Sequence, residues 1–170
     1  ISVSAFLLNR SSDLSLQVLR DALVQVVNAH PYMKTRFAVR EGDVVQLRMD
    51  DDEAKVSLTK LDNVPDKAFF QQRLRPFNLV GDQLYRLEVF EAPDATYLFK
   101  DLHHSICDGL SDVIFMNDLK TVLSGGNISI EDYTAFDFAL DEQQLLSGDK
   151  REEAELYFDR LLEGMAPTVY

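Results

Sequence analysis

Apolar and polar residues alternate in two different rhythms along this chain. Between residues 13 and 29, Leu16, Leu19, Leu23, Val26 and Val27 recur every three or four positions and mark one stripe of a helix. Asp13 or Ser15 can cap its start, and Pro31 stops it just after His30. Residues 37–47 alternate around Glu41-Gly42-Asp43 and predict a hairpin, and residues 56–61 predict a further strand. A short helix is expected over 66–75, ended by Pro76. Strands follow over 84–90 and 97–103, joined across Ala92-Pro93-Asp94. The next helix, 110–123, carries an apolar stripe of Leu110, Val113, Ile114, Leu119, Val122 and Leu123 and ends at Gly125-Gly126. Two more helical segments occupy 132–146 and 150–164. The opening run, residues 1–8, alternates serine with apolar residues and reads as a strand. It lacks a start methionine, so the chain is expected to be an excised piece of a longer protein. Helices interleaved with hairpin-linked strands give an α+β class with a largely antiparallel sheet.

At 170 residues the chain is one domain's worth of sequence, and no repeat or linker-like tract divides it. With 17 basic against 29 acidic residues the net charge is −12, which repels phosphate backbones and anionic lipid; nucleic acid and membrane are not expected partners. A single cysteine permits no internal disulfide and no zinc-type Cys/His spacing occurs. No run approaches the ~18 apolar residues of a membrane span, and no export signal opens the chain, so a cytoplasmic location is expected. Phe69, Phe70, Phe77, Tyr97, Phe99, Phe136, Phe138, Tyr157 and Phe158 stand at structural spacings and are assigned to the core. The acidic run 50–53 reads as a solvated loop, without the glycine and ligand spacing of a calcium loop.

The candidate chemistry lies where the strand at 97–103 meets the helix at 110: His103-His104-Ser105-Ile106-Cys107-Asp108-Gly109. Alternation along the strand would send His103 and His104 to opposite faces, one towards a cleft and one into the packing. Asp108 can cap the helix or pair with a cation, and Gly109 removes a Cβ at a crowded turn. An imidazole held there suits removal of a proton from an amine, hydroxyl or thiol that attacks an acyl carbonyl. Packed core histidines beside a capping aspartate would give the same spacing. Cys107 as a thiol nucleophile is the rival chemistry, weighed against a small buried hydrophobe. A metal held by the two histidines and Asp108 is disfavoured because adjacent strand side chains diverge. His30 suits the negative end of its helix dipole.

HHSICDG also resembles the HHxxxDG signature of the condensation domains of nonribosomal peptide synthetases and their chloramphenicol-acetyltransferase-like relatives. The segments NAHPYMKTRF (28–37), RPFNLVGDQLYR (75–86), YTAFDFA (133–139) and ELYFDRLLEGMAP (155–167) resemble that family's RHxxLRTxF, PFDLxxGPLxR, YxDYA and yWxxxLxGAP stretches, in order and over nearly the whole chain. The resemblance implies a chloramphenicol-acetyltransferase-like lobe, with residues 1–170 as the N-terminal lobe and the C-terminal lobe absent. It implies amide-bond formation between an acyl or peptidyl thioester donor and an aminoacyl acceptor. Both would be carried on the 4′-phosphopantetheine arms of donor and acceptor carrier proteins, with no cofactor or metal bound by the chain. His104 would position or deprotonate the amine beside His103, Asp108 would make a structural ion pair, and Gly109 would line the tunnel. Lys34 stands where the family's pairing arginine is expected, and Arg36 is a possible substitute. The histidine pair disfavours heterocyclisation relatives, and Gly109 fits condensation better than epimerisation. The isolated lobe is expected to be inactive for want of half its tunnel. A stand-alone acyl-CoA acyltransferase and a non-catalytic carrier-docking module are the alternatives.

Overall fold

The computed structural model describes residues 2–8, as a strand, and residues 15–165. Those residues fall into two compact units, 1–132 and 133–170.

In the first unit, four strands form a sheet in the order β1-β6-β5-β4, and two more form a separate hairpin, β2-β3. β1 (Ser2–Leu8) and β6 (Thr96–Leu102) are antiparallel, as are β6 and β5 (Tyr85–Glu91); β4 (Val56–Lys60) joins β5 in parallel at the edge. The hairpin of β2 (Thr35–Arg40) and β3 (Asp43–Arg48) turns on two residues, Glu41 and Gly42, both at positive φ (55° and 96°), as the right-handed twist of a two-residue hairpin demands. Asp13 lies outside the described residues, and Ser15 caps α1 (Leu16–Ala29) through a bond from the Val18 N–H.

The sheet's two faces are covered differently. On one face, Tyr85, Leu87 and Val89 of β5 lie beside Leu102, Lys100 and Leu98 of β6. All but Lys100 belong to the core made with Leu19, Leu23, Val26 and Val27 of α1 and with Phe115 and Leu119 of α3 (Gly109–Leu123). Complete burial of such a side chain contributes ~1.5–3 kcal/mol. Lys100 shares that face without leaving water unanswered: fully buried, it pairs with Asp112 of α3 and lies 4.9 Å above the Phe115 ring. On the opposite face, Phe69 and Phe70 of α2 (Lys67–Gln71) meet Phe90, Tyr97 and Phe99, with Arg73 stacked 3.6 Å over Phe69. α2 ends four residues before the expected boundary; past it, Arg73 Nη1 donates to the Phe69 carbonyl.

The expected apolar stripe of α3 is corrected in its first half only: Leu119 is buried, and Val122 and Leu123 pack part-buried against the core. Leu110 and Val113 are 68% and 55% exposed, and Ile114 is exposed as well. Ile106 and Cys107, buried just before the helix, and the Asp112–Lys100 pair fix its rotation, so Asp112 and Phe115 turn inward on the side of Leu119.

The second unit holds α4 (Ala135–Ser147) and α5 (Asp149–Leu162), separated at Gly148. A capping box between Thr134 and Asp137 starts α4. Phe138, Tyr157 and Phe158, expected in the core, are exposed here, as are Leu156, Leu161 and Leu162.

Candidate active site

β6 ends at Leu102, so the histidine pair sits in a turn and not on a strand. The His103 N–H donates to the Leu84 carbonyl at 2.8 Å, which ties the turn to the start of β5, and the Ile106 N–H closes it on the His103 carbonyl at 3.1 Å. Two side chains point inward as anchors: Ile106, and Cys107, whose S–H donates to the same carbonyl at 3.6 Å. His104 occupies the second position of this turn. It is exposed, and no side-chain hydrogen bond is formed by it among the described residues. Strand alternation was therefore the wrong reason for the divergence of the two rings; the turn separates them.

His103 is half-buried and engaged. Its Nδ1 accepts the Ser105 N–H at 3.1 Å and lies 2.8 Å from Ser105 Oγ. A ring nitrogen that accepts a backbone N–H carries no proton, so the neutral ring keeps its hydrogen on Nε2. Phe77 packs against the ring at near right angles, centroids 5.7 Å apart.

Asp108 is an exposed N-cap. Its Oδ1 accepts the Ser111 N–H and hydroxyl, each at 2.8 Å, and its own N–H donates to Ser111 Oγ. Donation by the Ser111 backbone, then by its hydroxyl, holds the carboxyl below the usual aspartate range. The expected ion pair with Lys34 or Arg36 is corrected: Lys34 is buried and its ammonium donates to the Asp50 carbonyl at 3.0 Å, while Arg36 pairs with Asp52 at 2.5 Å. The loop at 50–52 lies nearer these cations in the fold and takes both. Gly109 was expected in a crowded turn; the space its Cβ would fill is empty to 4 Å, and its φ is not positive.

Burial raises the Cys107 thiol above its ordinary range, which makes it a poor nucleophile at neutral pH. Among the described residues, no three of His, Cys, Asp and Glu are grouped so as to hold a metal ion. His30 is not a simple helix-end histidine: its Nδ1 lies 2.6 Å from Glu131 and its Nε2 2.8 Å from Asp118, tying α1 to α3 and to the segment beyond it.

Sequence reasoning missed Asp101, Arg86 and Ser105. The signal was present in Lys100-Asp101, two charges inside an otherwise apolar strand, which must each find a partner once buried.

With this geometry in place, the family model for the condensation domain matches residues 2–170. The chain belongs to the condensation domain family. Surfactin synthase subunit 2 of Bacillus subtilis (strain 168) is 29% identical to it over 160 residues, covering 92% of this chain and 4% of the synthase. Bacitracin synthase 3 of Bacillus licheniformis is 26% identical over 165 residues, covering 96% of this chain and 3% of the synthase. Among solved structures, the epimerization domain from the third module of tyrocidine synthetase B superposes with a TM-score of 0.76 at 19% identity, over 99% of this chain and 41% of that one. A condensation-domain structure concerned with chain release from the enacyloxin polyketide synthase gives a TM-score of 0.72 at 18% identity, over 97% and 34%. The condensation-domain chain thus spans a few per cent of its curated relatives and about two-fifths of the first of these structures. Its fold is α+β and chloramphenicol-acetyltransferase-like. No helix among the described residues is long and apolar enough to cross a membrane.

Proposed function

We propose that this condensation-domain chain is the N-terminal lobe of an amide-forming acyltransferase of nonribosomal peptide synthesis. The donor is an acyl or peptidyl thioester and the acceptor an aminoacyl thioester, each on the phosphopantetheine arm of a carrier protein. In the reaction the acceptor nitrogen attacks the donor carbonyl, the C–N bond forms, the C–S bond breaks, and the thiolate takes up a proton. The observation that carries this reading is the His104 ring, displayed to solvent on a turn anchored by Ile106 and Cys107. An imidazole so placed accepts the proton of the attacking nitrogen or orients that nitrogen; a pH–rate profile separates the two.

Gly109 supports the same reading. Its φ is ordinary and the space its Cβ would fill is empty, so the backbone at the head of α3 lies open to an approaching substrate arm. The first unit offers one wall, and a C-terminal lobe would supply the other, so the 170 residues alone are inactive. The coverage of about two-fifths of a solved relative is consistent with that division.

The test is His104→Ala in the two-lobed domain with both carriers loaded. Product formation is expected to fall by about 100-fold or more. The melting temperature should hold, because the residue is exposed and its ring makes no hydrogen bond or ion pair among the described residues. Turnover near that of the parent would remove His104 from the chemistry. A chain that binds coenzyme A and transfers an acyl group from it unaided would favour the stand-alone acyltransferase.

A further inference from the structure

One line of contacts ends at the histidine turn and is used by no step of the proposed reaction. Asp101 lies one residue before the end of β6, on the sheet face away from α1 and α3, with its side chain 2% exposed. Directly across on β5, Arg86 Nη1 donates to Asp101 Oδ2 at 2.5 Å. Asp101 Oδ1 is buried and without a hydrogen-bond partner among the described residues, so Arg86 is the group that answers this charge.

The same guanidinium reaches further. Nη1 donates to the Arg75 carbonyl at 2.8 Å and Nη2 to the Pro76 carbonyl at 3.0 Å, while the guanidinium carbon sits 3.7 Å from the centroid of the Phe77 ring. Phe77 in turn packs edge-on against His103, whose Nδ1 holds Ser105, the residue after His104. A planar fork makes all of these contacts at once. A lysine could answer Asp101, but it could not also grip two carbonyls and stack on a ring.

We propose that Arg86 is a positioning residue: anchored on Asp101, it seats Phe77 against His103 and so sets the angle at which the turn presents His104. The proposal rests on the reading of His104 as the reacting group, and Arg86 acts only through Phe77 and His103.

The experiment has a kinetic and a spectroscopic half. In the two-lobed domain with loaded carriers, Arg86→Lys and Phe77→Leu should each lower kcat by about 10- to 100-fold, the range expected of a displaced reacting group, with KM for the acceptor carrier unchanged. The double variant should be no slower than the slower single variant, because both changes break one line of contacts. In the 170-residue chain, proton NMR should show the His103 ring resonances moving in both variants while those of His30 stay in place. Parent-like kcat in Arg86→Lys, alongside loss of transfer in His104→Ala, would overturn the proposal and leave the functional reading intact. Multiplying losses in the double variant, or unmoved His103 resonances, would also overturn it. Should Arg86→Lys fail to fold, Phe77→Leu decides alone: a normal kcat overturns the proposal, and a lowered kcat with shifted His103 resonances supports it. Parent-like transfer in His104→Ala would instead refute the functional reading, and the resonances would then decide whether Arg86 sets the turn.

Discussion

The residues of the HHSICDG turn divide by direction. Ile106 and Cys107 point into the core, His103 is held by Ser105 and Phe77, and His104 and Gly109 face outward. This division separates stability from chemistry at neighbouring positions. Gly109→Ala should leave the melting temperature unchanged or slightly raised, since alanine gains up to ~1 kcal/mol over glycine in a helix and finds open space here. The same variant should slow transfer in the two-lobed domain by ~10-fold or more if substrate passes over that position. Comparing melting with transfer tests this; full activity would show that the open space is not on the substrate's path. Cys107 should behave oppositely. With its thiol raised by burial, alkylation at neutral pH should be far slower in the native chain than in urea, and Cys107→Ser should retain transfer. Rapid native alkylation with loss of transfer would return the thiol to the mechanism. The candidate residues of the turn were legible because their motif is contiguous. The partners of Asp108, Lys34 and Arg36 were not, since choosing among Asp50, Asp52 and Asp108 requires knowing which loop folds next to which cation.

At the scale of elements, α3 shows how a cap and a buried pair decide what a helix does. Its apolar residues allow more than one inward face, and hydrophobic spacing alone favoured Leu110, Val113 and Ile114. The observed rotation follows from Asp108 and Ser111 at the start and from the Lys100–Asp112 pair one turn in. The strands and the β2-β3 hairpin were legible because alternation and the Glu41-Gly42 turn are local signals. The parallel pairing of β4 with β5 was not, because register between distant segments leaves no local trace. The cap carries a prediction with a sign. The Asp108 carboxyl titrates below its ordinary range because the Ser111 N–H and hydroxyl favour its ionised form. Its contribution is therefore fully present above the unfolded aspartate range and is lost as pH falls through the lower folded value. Asp108→Ala should lower the melting temperature at neutral pH, and the gap to the parent should close in strong acid. Asp108→Asn, which still caps, should stay nearer the parent at neutral pH. A gap between parent and Asp108→Ala that is independent of pH would show that the carboxylate charge adds nothing to the cap.

For the molecule as a whole, the two units differ in how they treat apolar residues. The first encloses a core between sheet and helices. The second leaves Phe158 and Leu162 of α5 54% and 53% exposed, with Leu156, Tyr157 and Leu161 similarly open. Composition and charge gave no warning of this, because the periodicity of α4 and α5 says that a face is apolar and not what covers it. Phe158 and Leu162 are four residues apart and so share one side of the helix. If the remainder of a two-lobed domain covers them, their contribution depends on context. In the 170-residue chain Phe158→Gln with Leu162→Gln should change stability by no more than ~0.5 kcal/mol per site, the surface range, and should reduce self-association in sedimentation at unchanged net charge. In the two-lobed domain the same pair should cost several kcal/mol, on the order of 2–5 for each large apolar side chain lost from a filled interface. Glutamine keeps helix propensity and adds no charge, so neither fraying nor repulsion can produce the difference. Equal, small effects in both settings would show that this side of α5 stays in water in the longer protein as well.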